Sequence, residues 1–171
     1  SWISLINLGG VMNKTIVKLG FVSAAIANIG GVLLFSRLFS NEVISASDPV
    51  VMSTFGLVMI MVWGLAYLGA AAISSSVRWL AAAFAIEKLV YVIVWCQWMF
   101  NNSISDVYSQ DLYAGLFYTI YGPNDFLFMI FFILVFLKSG RSPAQVWYLI
   151  LFPLTYKSRL IGTFWLGTPL W

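Results

Sequence analysis

Histidine does not occur anywhere in the 171 residues of this chain. Its absence removes the commonest metal ligand, the usual haem ligand and the usual general base at neutral pH. Cysteine occurs once, at Cys96, so no disulfide within the chain, CxxC motif or thiolate cluster can form. Cys96 lies in an apolar run. A nucleophilic role would require a thiolate-stabilising neighbour and a partner base, whereas a small buried hydrophobe requires neither. Charge is scarce too: Asp, Glu, Lys and Arg make up 9% of the residues, against about 25% in soluble domains. The net charge of +3 is too small to point to nucleic acid. With no nucleophile–base pair, no metal ligand set and no cofactor motif to assign, the expectation is a non-enzymatic protein.

What is present is apolar surface, with 61% of residues hydrophobic. A membrane-crossing helix needs about 20 mostly apolar residues, and four stretches meet that length: 15–35, 50–73, 79–100 and 112–137. Asp48 and Pro49 fit the cap and first-turn positions of the second span, and Asp111 fits the cap of the fourth. The fourth span carries Tyr121-Gly122-Pro123-Asn124-Asp125 in its middle. Residues 125–137 alone would cover only about 20 Å of a roughly 30 Å apolar layer, so Pro123 must lie inside the span. There it leaves the Thr119 carbonyl without a helical donor and predicts a kink at Gly122–Pro123. The connections 36–47, 74–78 and 101–110 read as short polar loops.

Basic residues set the orientation. With the N-terminus inside, Lys14, Lys18, Arg78, Lys138, Arg141, Lys157 and Arg159 all fall on the cytoplasmic side, and the outer loops hold Arg37 alone beside Glu42, Asp48, Asp106 and Asp111. Every loop agrees with the positive-inside rule. The expected fold is therefore an all-α bundle of four transmembrane helices, with both the N-terminus and the C-terminus cytoplasmic. The first span is expected to stay as an anchor, because its apolar run exceeds the 7 to 15 residues of a signal peptide. Met12-Asn13-Lys14 resembles a natural start, so residues 1–11 read as a translated leader and 12–141 as the transmembrane domain. Residues 142–171 form an apolar tail with Pro153, Pro169 and several tryptophans, suited to the cytoplasmic interface.

The third span holds the least expected feature, Glu87 and Lys88 side by side within FAIEKLVYVIVW. A charged side chain at a helix centre costs roughly 2.5 to 3.5 kcal/mol on an insertion scale, and such residues usually face the bundle interior or a wet cavity. Neighbours on a helix point about 100° apart, so each needs a partner on another helix. Counted inward at 1.5 Å per residue, Glu87 and Lys88 lie roughly 12 to 14 Å deep, Tyr91 about 18 Å, and Asn28 and Asp125 near 20 Å. Trp63 and Tyr67 fall near 16 Å and 10 Å. The Lys88 stem can reach Asp125 or snorkel toward the cytoplasm. Two readings of Asn28, Glu87, Lys88, Tyr91, Asn124 and Asp125 stand side by side: a buried network fixing helix register, or a binding site for a small polar solute, ion or proton. Small residues at four-residue spacing (Ser23, Ala27 and Gly31; Ala66 and Ala70; Ala81 and Ala85) predict close helix approach.

Taken together, WGLAYLGAA, AIEKLVYVIVW and GPNDFLFMIFF resemble small four-helix proteins of the bacterial inner membrane, the DoxX-like and BphX-like groups. The likeness spans about Lys14 to Lys138 and lies in size, hydropathy and charge placement. It implies the fold and a bacterial inner-membrane location, and it supplies no catalytic residue. The expected function is an accessory or oligomer-forming membrane component, with the lipid bilayer, a second copy or another membrane protein as partner. The alternative is a small transporter or ion/proton carrier using Glu87, Lys88 and Asp125.

Overall fold

The computed structural model describes residues 12–139. The leader expected at 1–11 and the tail at 142–171 lie outside the described residues. Among the described residues the chain is helical and has no strand: α1 (Lys14–Phe35), α2 (Glu42–Ser47), α3 (Thr54–Ala72), α4 (Arg78–Asn101), α5 (Ile104–Gln110) and α6 (Leu112–Lys138). Four of these, α1, α3, α4 and α6, are long and apolar enough to cross a membrane.

Helix starts follow local chemistry. Asn13 accepts from the Thr15 N–H to open α1, and Asp111 accepts from the Ala114 N–H to open α6, as expected. The second span begins later than expected. Asp48 accepts from the Val51 N–H and closes only a preceding turn, while Ser53 takes the cap of α3 by accepting from Gly56. The cause is Pro49: it has no N–H to donate and fits a tight turn as readily as a helix start.

The polar loops hold structure as well. Segments 42–47 and 104–110 are one- to two-turn helices that bury Ile44 and Val107. Both sit at the end of the bundle where α1 ends and α6 begins, called here the acidic end; the opposite, basic end carries Lys14, Arg78 and Lys138. Between α1 and α2 the chain turns through Arg37, Leu38 and Phe39, all with positive φ (49°, 57° and 69°). A left-handed conformation costs an ordinary residue roughly 1–2 kcal/mol. The turn is held by Ser36 Oγ accepting from the Phe39 N–H and by Arg37, 2.9 Å from Asp111.

The long helices associate chiefly as two pairs, α1 with α3 and α4 with α6, and α1 meets α6 along less of its length. Close approach of α1 to α3 depends on Gly64, where a Cβ would strike Ile29 and the Ala25 carbonyl. The stripe expected on α1 does not serve this purpose: Ser23 is exposed, and a Cβ on Gly31 would meet nothing within 4 Å. Ala70, Ala81 and Ala85 are buried as the spacing predicts.

The apolar core comes in two parts. At the basic end Phe21, Tyr67, Phe84 and Phe132 pack together. At the acidic end Trp98, Phe117, Tyr118 and Tyr121 gather with Ile44, Met52 and Val107. Asn28, Glu87, Lys88 and Asp125 fall in sequence between the residues of the two parts, and all four are buried. The α6 helix runs through Pro123 without interruption. Beside it the Trp95 indole lies against Gly122, where any Cβ would overlap the ring, and its Nε1 donates to the Tyr118 carbonyl at 2.7 Å. Only glycine permits that approach.

Candidate functional site

Lys88 is placed near the middle of α4, and its side chain is only 1% exposed. Its ammonium does not snorkel to either end. Nζ lies 2.7 Å from Oδ1 of Asp125 on α6 and donates to Oδ1 of Asn28 on α1 at 3.0 Å. Asn28 is fixed in turn, since its Nδ2 donates to the Ile60 carbonyl of α3 at 3.1 Å. The Lys88 ammonium also stands over the rings of Tyr67 and Tyr91, 5.5 and 5.9 Å from their centroids. An ammonium has three donors, and these partners surround it on several sides.

Glu87 turns away from its neighbour as helix geometry requires. Its Oε2 accepts the hydroxyl proton of Tyr67 on α3. Its Oε1 is 3.8 Å from Lys88 Nζ and has no hydrogen-bond partner among the described residues. Two consecutive residues of α4 therefore reach all three other spans. Tyr67 was not among the residues singled out for the cluster, although its depth in the second span had placed it near that level. The usable signal was a hydroxyl on an aromatic ring close to the depth of a buried carboxylate.

Asn124 contributes at the margin, with Nδ2 donating to Asp125 Oδ1 at 3.3 Å. Lys88 and Asn124 thus both engage Oδ1, which leaves Asp125 Oδ2 without a partner among the described residues. Tyr91 is half-buried and offers its ring face to Lys88.

A cavity of about 210 Å³ adjoins the cluster. Asn28, Tyr121, Asn124 and Asp125 form its polar part; Phe35, Phe117 and Ile120 are among its apolar walls. Ala27 and Gly31 of α1 line it too, and a Cβ on Gly31 would meet nothing within 4 Å. Among the described residues no group of three or more Cys, Asp or Glu is arranged to hold a metal ion. Cys96 is half-buried on α4.

Comparison with protein-family models, curated proteins and solved structures gives no match to this chain.

Proposed function

We propose that this chain is a multi-pass protein of a bacterial inner membrane, non-enzymatic, with both ends cytoplasmic and the fourth span bent at Gly122–Pro123. In this reading it serves as an accessory or oligomer-forming membrane component, and the resemblance to DoxX-like and BphX-like proteins is part of the proposal. Its polar cluster is the fastening that sets how the four spans stand against one another. The observation that carries the reading is Lys88, buried and bonded at once to α1 and α6 while Glu87 binds α3. With no hydrophobic drive between helices in lipid, polar partners across helices add to close packing in fixing register.

The test is a double-mutant cycle in detergent or nanodiscs. Lys88→Met alone leaves Asp125 buried without its cation, and breaking a buried pair this way typically costs about 3 to 5 kcal/mol. Adding Asp125→Asn removes the uncompensated charge and should recover part of the loss. Strictly additive losses would mean that the two residues are not coupled, and the fastening role would fall.

A second reading, a small carrier for a proton or cation using Glu87, Lys88 and Asp125, is favoured by one observation. The cluster holds two carboxylates against one ammonium, with Glu87 Oε1 unbonded among the described residues. A buried group of that composition becomes neutral when one of its carboxylates takes up a proton. Proteoliposomes under an imposed pH or cation gradient would separate the two readings. Uptake lost in Asp125→Asn while the protein stays folded supports the carrier; no uptake by the native chain supports the fastening.

A further inference from the structure

We infer that the cavity between α1 and α6 is a binding site for a neutral amphiphile with a hydroxyl head and a compact apolar body, entering from the bilayer. This goes beyond the fastening role and does not require transport. It rests on the four-helix bundle alone.

The polar part of the cavity selects the head group. Asp125 lines it with Oδ2 unbonded among the described residues, an acceptor awaiting a donor. Tyr121 also lines it; the residue is 9% exposed, and its hydroxyl has no partner among the described residues. A buried polar group left unpaired costs roughly 1–3 kcal/mol, so an incoming donor that completes Asp125 gains by binding there. A hydroxyl meets that need by donating to Asp125, while the Tyr121 side chain adds its ring to the wall. An anionic head would meet the Asp125 carboxylate. A cationic head would compete with Lys88, whose ammonium already stands 2.7 Å from Asp125 Oδ1. The neutral hydroxyl is the remaining choice.

The apolar walls and the route select the body. Phe35, Phe117, Val32 and Ile120 offer ring and aliphatic contacts, and an apolar cavity of roughly 150 Å³ is known to hold a benzene ring. At about 210 Å³ this one has room for a ring with a short alkyl substituent. Entry is lateral: α1 and α6 meet along less of their length than the helix pairs, Ile120 is exposed, and Gly31 leaves open space at the wall.

The experiment uses the full chain in nanodiscs, with 4-propylphenol as probe and propylbenzene as a control of the same body without the head. Thermal unfolding is followed as each is titrated. Propylphenol should raise the melting temperature saturably, with propylbenzene binding about tenfold more weakly. Gly31→Phe should abolish the response to both by filling the cavity. Gly31→Leu serves as a second filling variant, and a cooperative transition of its own shows that it is folded. Equal responses to the two probes in the native protein would reduce the effect to lipid partitioning and overturn the proposal. So would no response to either probe, which would leave a cavity for water, or a native-like propylphenol response in both Gly31 variants.

Discussion

The two halves of the bundle are both rich in aromatic rings and use them differently. At the basic end Phe21, Phe84 and Phe132 pack by ring geometry alone, with centroids 5.2 to 5.8 Å apart; Tyr67 joins them and sends its hydroxyl to Glu87. At the acidic end two of the rings, Trp98 and Tyr118, carry polar atoms that go to backbone. Trp98 donates to the Ser47 carbonyl at 3.0 Å, Tyr118 to the Ile44 carbonyl at 2.7 Å, and the Trp98 and Tyr118 rings stack with centroids 4.1 Å apart. The difference follows from what each end contains. The last carbonyls of any helix lack internal partners; α2 presents that of Ser47, and beside it the Ile44 carbonyl held only by a 3.3 Å bond from the Asp48 N–H, against a buried apolar cluster. Amphipathic rings supply the donors. One half is held by shape; the other is held by shape and by satisfying the ends of a short helix.

The largest expected effect breaks the half that relies on shape. Phe132 is fully buried among Phe21, Tyr67 and Phe84. Phe132→Ala should cost about 3 to 5 kcal/mol through lost contacts and the cavity left behind. The adjacent Ile133 faces outward, so Ile133→Ala should change stability by no more than about 0.5 kcal/mol. Equal losses at the two positions, measured by reversible unfolding in mixed micelles, would contradict the basic-end core described here.

That core also marks what could be read in advance. The four long helices were legible because each needs about 20 apolar residues in a row, a signal few other structures produce. Asp111 was legible as a cap because a carboxylate immediately before an apolar run has few other uses. Depth counting and stem length left two outcomes for Lys88, a partner in Asp125 or snorkelling toward the cytoplasm, and the structure has the first. The short helices α2 and α5 were not legible. Helices of that length do not hold together by propensity, and theirs comes from burying Ile44 and Val107 against the rest of the bundle. Asn41 followed by Glu42 was an available start signal, and Asn41 does accept from the Val43 N–H. The Gly31 stripe misled because small residues that admit a neighbouring helix and small residues that line a cavity look identical in sequence.

A middle-sized effect sharpens the comparison at the acidic end. Tyr118→Phe keeps the ring and its stacking on Trp98 but removes the donor to the Ile44 carbonyl. That carbonyl keeps the Asp48 N–H at 3.3 Å, so the loss should be near 1 kcal/mol, the net value of one hydrogen bond. Amide hydrogen exchange should rise in residues 42–47 and stay unchanged in residues 78–88. No measurable loss would mean that Tyr118 acts through packing alone, and the contrast between the halves would dissolve.

The smallest expected effect concerns the charged rim of the acidic end. Asp111 accepts from the Ala114 N–H at 2.8 Å and from Asn41 Nδ2 at 2.8 Å, with Arg37 at 2.9 Å. The Ala114 N–H first, then the Asn41 amide and the Arg37 guanidinium, hold its carboxyl below the ordinary aspartate range. A carboxyl depressed in the folded state contributes stability that is complete above its unfolded value, near 3.9. That contribution is lost as the pH falls through the lower, folded value. The group lies at the solvent-facing rim, and exposed pairs are worth about 0 to 1 kcal/mol, so the acid-induced loss should stay below that limit and shrink in high salt. Asp111→Asn keeps an amide oxygen able to cap α6 but cannot ionise. Stability measured against pH from 6 down to 3 should show a smaller acid loss in Asp111→Asn than in the native chain. The curve of Phe132→Ala should parallel the native one, because the packing it removes carries no charge. If Asp111→Asn also runs parallel to the native curve, Asp111 contributes through its cap alone and Arg37 adds nothing to it. The left-handed turn at Arg37 would then have to be held by Ser36 and Asn41 without electrostatic help.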